Sequence, residues 1–160
     1  ERAYTIIRPA AVVGGSATGE IIAQHEGILA LAEQLLKGIM FAVPGNKKDW
    51  LPIIPVDFLA SFIARIVDIE NTDQKEFLLL DDRTPDLKTM VDKIGQILDV
   101  NVPDRRIPVS LLRFFLKTGM GKLLSVSPES LTYIDSERYD TQSMEEYVGK
   151  MGTFLTETEK

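Results

Sequence analysis

Tyr4-Thr5-Ile6-Ile7-Arg8-Pro9-Ala10-Ala11-Val12-Val13-Gly14-Gly15-Ser16-Ala17-Thr18-Gly19-Glu20 sets the architecture of this 160-residue chain. Tyr4 to Ile7 is aromatic and β-branched without polar alternation, which predicts a central strand buried on both faces of a parallel sheet. Pro9 has no N–H for a ladder and fixes its own φ, so regular pairing should stop there. The backbone is then free to turn across the strand's carboxyl end, where α/β sheets bind ligands. Gly14, Gly15 and Gly19 make a loop open to positive φ and close backbone approach, and helical periodicity resumes near Glu20. The order is strand, loop, helix.

Arg8-Pro9-Ala10-Ala11-Val12-Val13-Gly14 resembles the Arg-Pro-x-x-Val-x-Gly ending of a late sheet strand in the extended short-chain dehydrogenase/reductase family, where it lies beside the nicotinamide. Ser16-Ala17-Thr18-Gly19-Glu20-Ile21 is more similar to the branch that reduces fatty-acyl and carrier-protein thioesters than to the sugar-nucleotide epimerases. The resemblance continues through Pro44-Gly45, Ile54-Pro55-Val56-Asp57, Phe77-Leu78-Leu79-Leu80 and Tyr139-Asp140-Thr141, and so reaches most of the chain. It is a resemblance to the second half of the family only. It implies an α/β fold: the C-terminal portion of a Rossmann-type parallel sheet, of two to three short strands, with a mostly helical substrate-binding lobe. Residues 1–160 would then be a single fragment, cut just before a core strand, with the N-terminal cofactor-binding half absent.

The family's cofactor fingerprint, a Gly-rich turn between first strand and first helix, does not occur in the sequence. Neither does Tyr-x-x-x-Lys, whose lysine lowers the phenol's pKa for proton exchange during hydride transfer. None of Tyr4, Tyr133, Tyr139 and Tyr147 has a lysine four residues on. The resemblance therefore implies no catalytic residue in this chain, NAD or NADP as cofactor of a longer parent, and no dinucleotide binding by the chain alone. Pro9, Ala10, Ala11, Val12 and Val13 would face the nicotinamide. Gly15, Ser16 and Thr18 of the loop would face the substrate, a small molecule such as an acyl thioester or carbonyl compound. Epimerase or dehydratase chemistry on a sugar nucleotide is the alternative, and a non-enzymatic binding or assembly module of the same topology is a third reading.

Composition narrows the class. A hydrophobic content of 44% is that of a globular domain. The absence of cysteine excludes disulfides, thiolate metal sites and a cysteine nucleophile, and fits a cytoplasmic protein. No apolar run approaches the length of a membrane span, and no metal site is expected. A formal net charge of −6 argues against a sequence-independent grip on nucleic acid. A sheet cut before Tyr4 is expected to self-associate through its uncovered strand and apolar faces.

Along the chain, apolar spacing predicts a long amphipathic helix from Glu20 to about Met40, stopped near Gly38. His25, the single histidine, falls near its apolar face; it reads as a boundary histidine with one hydrogen bond, or as a substrate-side ligand or acid/base group. Pro44-Gly45 suits the centre of a type II turn, and Trp50 to Pro55 a short edge strand or extended connector. Val56 to about Ile69 reads as a helix with Asp57 at its positive end, Glu70 to Gln74 as a turn, and Phe77 to Leu80 as a buried strand. Thr84-Pro85-Asp86 predicts a helix start with Thr84 as N-cap, and Asp99 to Pro103 its end. Leu111, Leu112, Phe114, Phe115 and Leu116 surround a helix that must meet core on one side and a greasy ligand or partner on the other, with Gly119 and Gly121 ending it. Leu112 and Phe115 are its acyl-binding candidates, with plain core as the competing reading. Arg105 and Arg106, just upstream, are candidate donors to a substrate diphosphate. Ser127-Pro128-Glu129 and Ser143 to Glu146 predict two further helix starts.

Overall fold

The computed structural model describes residues 4–21, 27–67, 75–115, 130–139, 141, 144, 145 and 148. In chain order the elements are β1 (Ile6–Pro9), β2 (Ala11–Val13), α1 (Ile28–Leu36), β3 (Val43–Pro44), β4 (Ile53–Pro55), α2 (Val56–Ile66), β5 (Glu76–Leu79), α3 (Leu87–Leu98), β6 (Arg106–Ile107) and α4 (Val109–Phe115), followed by a 3₁₀ turn over Ser130–Tyr133. The α/β class and the parallel pairing expected from sequence are found. The strands are short and more numerous than anticipated, six among the described residues in three parallel pairs: β1 with β5, β2 with β4, and β3 with β6. The chain divides into two compact units, one of Glu1–Ile22, Ile53–Asp82 and Tyr139–Lys160, the other of Ala23–Pro52 and Arg83–Arg138.

In the first unit, β1 lies parallel to β5 with Ile6 opposite Glu76 and Pro9 opposite Leu79. Pairing of β1 does end at Pro9, as its missing N–H requires. Ala10 N–H then donates to Leu79 O at 2.8 Å, after which Ala11 to Val13 take β4 as a new partner. The expectation of a strand buried on both faces from Tyr4 is corrected: the strand begins at Ile6, Tyr4 is 57% and Ile6 39% exposed, and only Ile7 of β1 packs on the core. Among the described residues β1 has a partner strand on one side alone. The core beneath is Ile54, Phe62, Ile66, Phe77 and Leu79. Phe62 meets Phe77 edge to face at 5.7 Å, a favoured aromatic geometry. Helix α2 supplies Phe62 and Ile66 to it at helical spacing, so burial of that stripe fixes α2 against β4.

In the second unit, α1 packs on α3 and α3 on β3. The predicted Glu20–Met40 helix is shorter, Ile28 to Leu36; Gly27 at φ +61° opens it and Gly38 at φ +64° closes it. Residues 22–26, and His25 with them, lie outside the described residues. Gly45 has φ +94°, as the second centre of a type II turn needs, and a Cβ there would come within 2.9 Å of Asp49 Cβ. Helix α3 is capped by Asp86, not by Thr84. The Asp86 carboxylate accepts from Lys88 N–H at 3.1 Å and from Thr89 N–H at 3.2 Å. Pro85 forces its predecessor to be extended, and Asp86 itself stays extended at ψ 154°, so the helix cannot begin until Leu87. Asp99, left-handed at φ 54°, ends α3 where expected. Trp50 is fully buried; its indole N–H donates to Glu137 O at 2.8 Å, and the Arg138 guanidinium stands 3.9 Å over its ring. Helix α4 buries Leu112 and exposes Leu111 and Phe114, the two-sided character read from its sequence. The predicted turn at Glu70 to Gln74, the stops at Gly119 and Gly121, the start at Ser127 to Glu129, and Ser143 and Glu146 lie outside the described residues.

Candidate functional site

The register of β2 on β4 builds the site. Because the strands run parallel with Val13 opposite Pro55, Gly14 and Val56 leave the sheet side by side at its carboxyl end. One exit becomes the Gly-rich loop and the other the first turn of α2. Within the loop, Gly15 N–H donates to Glu20 O at 3.0 Å, Gly19 N–H to Gly15 O at 2.8 Å, and Glu20 N–H to Thr18 Oγ1 at 3.2 Å. Gly14 is required by space: a Cβ there would lie 2.5 Å from Glu20 O and 2.7 Å from Ile21 Cγ1.

Asp57 ties this closed loop to α2. Ser16 N–H donates to Asp57 Oδ1 at 3.1 Å and Ser16 Oγ–H to Oδ2 at 2.5 Å. The Ser16 hydroxyl is the largest influence on the carboxyl; desolvation opposes it, and the N–H groups of Ser16, Asp57 and Phe58 add to it. The net effect holds Asp57 below the usual aspartate value, as donors around a carboxylate do. The N-cap of α2, Pro55, has no side-chain acceptor, so Asp57 in the first turn also answers the positive helix end, the role read from sequence. Its long-range partner, 41 residues away, had no signal in the sequence.

Pro9 to Val13 and Gly15, Ser16 and Thr18 thus fall on one continuous strand-and-loop segment of the first unit. Its strand edge is apolar and accessible, with Val12 exposed and Ala10, Ala11 and Val13 half-buried. The other candidates belong to the second unit. Arg105 is exposed. Arg106 is engaged: Nη1 donates to Asn46 O at 2.9 Å and Nη2 lies 3.6 Å from Asp86 Oδ1. Leu112 is buried with Ile107 and Leu131, while Phe115 is half-buried against that cluster and stacks edge to face on Phe114. Sequence reasoning missed Gln34, buried on the packed face of α1, because a lone glutamine in an apolar stripe ordinarily reads as a boundary residue. No group of acidic or histidine side chains able to hold a metal occurs among the described residues, and none of their helices is long and apolar enough to cross a membrane.

Parallel strands delivering a glycine loop and a helix N-terminus to one end define part of a Rossmann-like α/β fold. Residues 1–63 match the model of an NAD-binding family described as male sterility protein, which bears out the resemblance drawn from sequence. The terminal R domain from the myxalamid PKS-NRPS biosynthetic pathway is similar in structure, with TM-score 0.65 and 17% identity over 95% of this chain and 39% of that one. The protein gox2253 is similar with TM-score 0.55 and 18% identity, over 91% of this chain and 43% of that one. The chain thus spans about two fifths of the length of these structures. No curated protein sequence matches it.

Proposed function

We propose that this chain is the C-terminal sheet and substrate-binding region of an NAD(P)-dependent extended short-chain reductase acting on a thioester or carbonyl substrate. The N-terminal cofactor-binding half would belong to the longer protein. The observation that carries the reading is the Asp57–Ser16 clamp, which fixes a glycine loop at the carboxyl end of β2, where this fold presents its ligands. When bound, the nicotinamide supplies the hydride. Ala10 to Val13 would give it an apolar strand edge, and the loop from Gly15 to Thr18, held by Asp57, would border the substrate. An acyl substrate is favoured over a sugar nucleotide because Arg106 is already committed to Asn46 and Asp86, which leaves Arg105 alone of the pair to meet a diphosphate.

The test uses the longer polypeptide that carries the Gly-rich turn and Tyr-x-x-x-Lys. Oxidation of reduced nicotinamide should accompany conversion of an acyl thioester to its aldehyde, and Arg106→Ala should lower the melting temperature without raising KM. Turnover of a nucleotide sugar, with KM raised about tenfold or more by Arg105→Ala or Arg106→Ala, would reverse the choice. The isolated chain is expected to self-associate through the open side of β1, where Tyr4 and Ile6 are exposed; a clean monomer in light scattering at high concentration would count against this.

A further inference from the structure

Gln34 sits where the buried stripe of α1, with Ala30, Leu31 and Leu35, asks for an apolar residue. It is 8% exposed, and its Nε2 has no hydrogen-bond partner among the described residues. A buried amide donor without an acceptor destabilises a folded chain, and an apolar side chain of the same size would remove that cost. The same residue lines a cavity of about 40 Å³ inside the second unit, whose walls include Leu31, Met40, Leu51, Leu112 and Leu131. Every other side chain described on its wall is apolar. Buried waters ordinarily make about three hydrogen bonds, and the described side chains of the wall offer them a single carboxamide. The volume suits a group of about two or three heavy atoms. Gln34 is the one polar side chain described on that wall, and its terminal torsion is soft, so the amine is free to turn toward a group bound there.

We propose that this cavity is a subsite for the acetyl-sized, carbonyl-bearing part of a ligand, its alkyl end on the leucine walls and its oxygen accepting from Gln34 Nε2. The inference rests on the carbonyl-substrate reading above for the class of the natural ligand. Its test needs neither cofactor nor turnover, so the two fail separately. Butanone and its hydrocarbon isostere 2-methyl-1-butene are titrated into ¹⁵N-labelled chain and followed by NMR. Butanone should shift the Gln34 side-chain amide and the backbone amides of Leu31 and Leu112 saturably, and should bind about fivefold more tightly than the isostere, the worth of one net hydrogen bond. Gln34→Met should erase that preference while melting no lower than the parent. Ala30→Val, which fills the space from the same face of α1, should abolish binding with the Gln34 amide intact. Equal binding of the two probes, or no saturable shift, overturns the proposal. So does a Gln34→Met chain that melts lower or fails to fold, because the amide then serves the fold.

Discussion

Replacing Ser16 by alanine should loosen the glycine loop by an amount that the geometry at Asp57 sets. The substitution removes the 2.5 Å hydroxyl bond and leaves the 3.1 Å amide bond in place. A hydrogen bond to a charged group contributes about 1.5–3 kcal/mol, but Ser16 is exposed, and solvent screening reduces this to about 0.5–1 kcal/mol. For a chain of this size that corresponds to a fall in Tm of about 1–4 °C. Thermal unfolding of Ser16→Ala, Asp57→Asn and the double variant at neutral pH measures the coupling, and amide exchange at Gly15 and Gly19 localises it. Those two amides should exchange faster in Ser16→Ala, while amides of β5 stay unchanged. Because Asp57 is held below its ordinary value of 3.8, the bond stabilises the fold above that value and is lost as pH falls through the lower, folded one. The cost of Ser16→Ala should therefore be constant from neutral pH down to about 4 and shrink only below it. Additive losses in the double variant, or a cost that changes near pH 6, would refute the clamp.

Asp86→Ala should cost about 0.5–2 kcal/mol, because it uncaps α3 and releases Arg106; chemical denaturation reads it, and Thr84→Ala should cost less. Gly95→Ala should destabilise by about 1–3 kcal/mol although alanine favours helix, since its Cβ would overlap Val102 Cγ2 and lie 3.1 Å from Val100 O. Asp99→Gly, at a left-handed position, should raise Tm by a few degrees, about 1 kcal/mol of relieved backbone strain. The isolated chain should show no calorimetric binding of NAD or NADP, because the Gly-rich turn that anchors a dinucleotide's pyrophosphate does not occur in its sequence; a micromolar dissociation constant would sink the proposed division of labour.

Much of the architecture was legible in the sequence where local chemistry decides it. Pro9 stopped β1, Gly38 and Asp99 closed their helices, and the apolar spacing from Phe58 to Ile66 made α2. Long-range partnership was less accessible. The burial of Tyr4 and Ile6 was overestimated because composition reports what a strand suits, not how many neighbours it has. Thr84 and Asp86 are both good caps with a proline between them, and the choice followed from the backbone on either side of Pro85. The Ser16–Asp57 bond joins segments that only the β2–β4 register brings together, and Gln34 became notable only once its surroundings were known to be apolar.

The alternation of the chain between its two compact units constrains how the protein can be cut and how it reaches its native state. The chain enters the first unit three times and the second twice, so no contiguous stretch of the sequence makes up either one alone. Deletion from an end cannot yield an isolated unit, and a circular permutant would still carry both in pieces. The strand pair β1 and β5 must close across an entire excursion into the second unit before any of its ladder forms. Folding of the first unit is therefore expected to be slow relative to helix formation in the second, with the Ile6–Pro9 segment among the last to acquire protection as the chain emerges from synthesis.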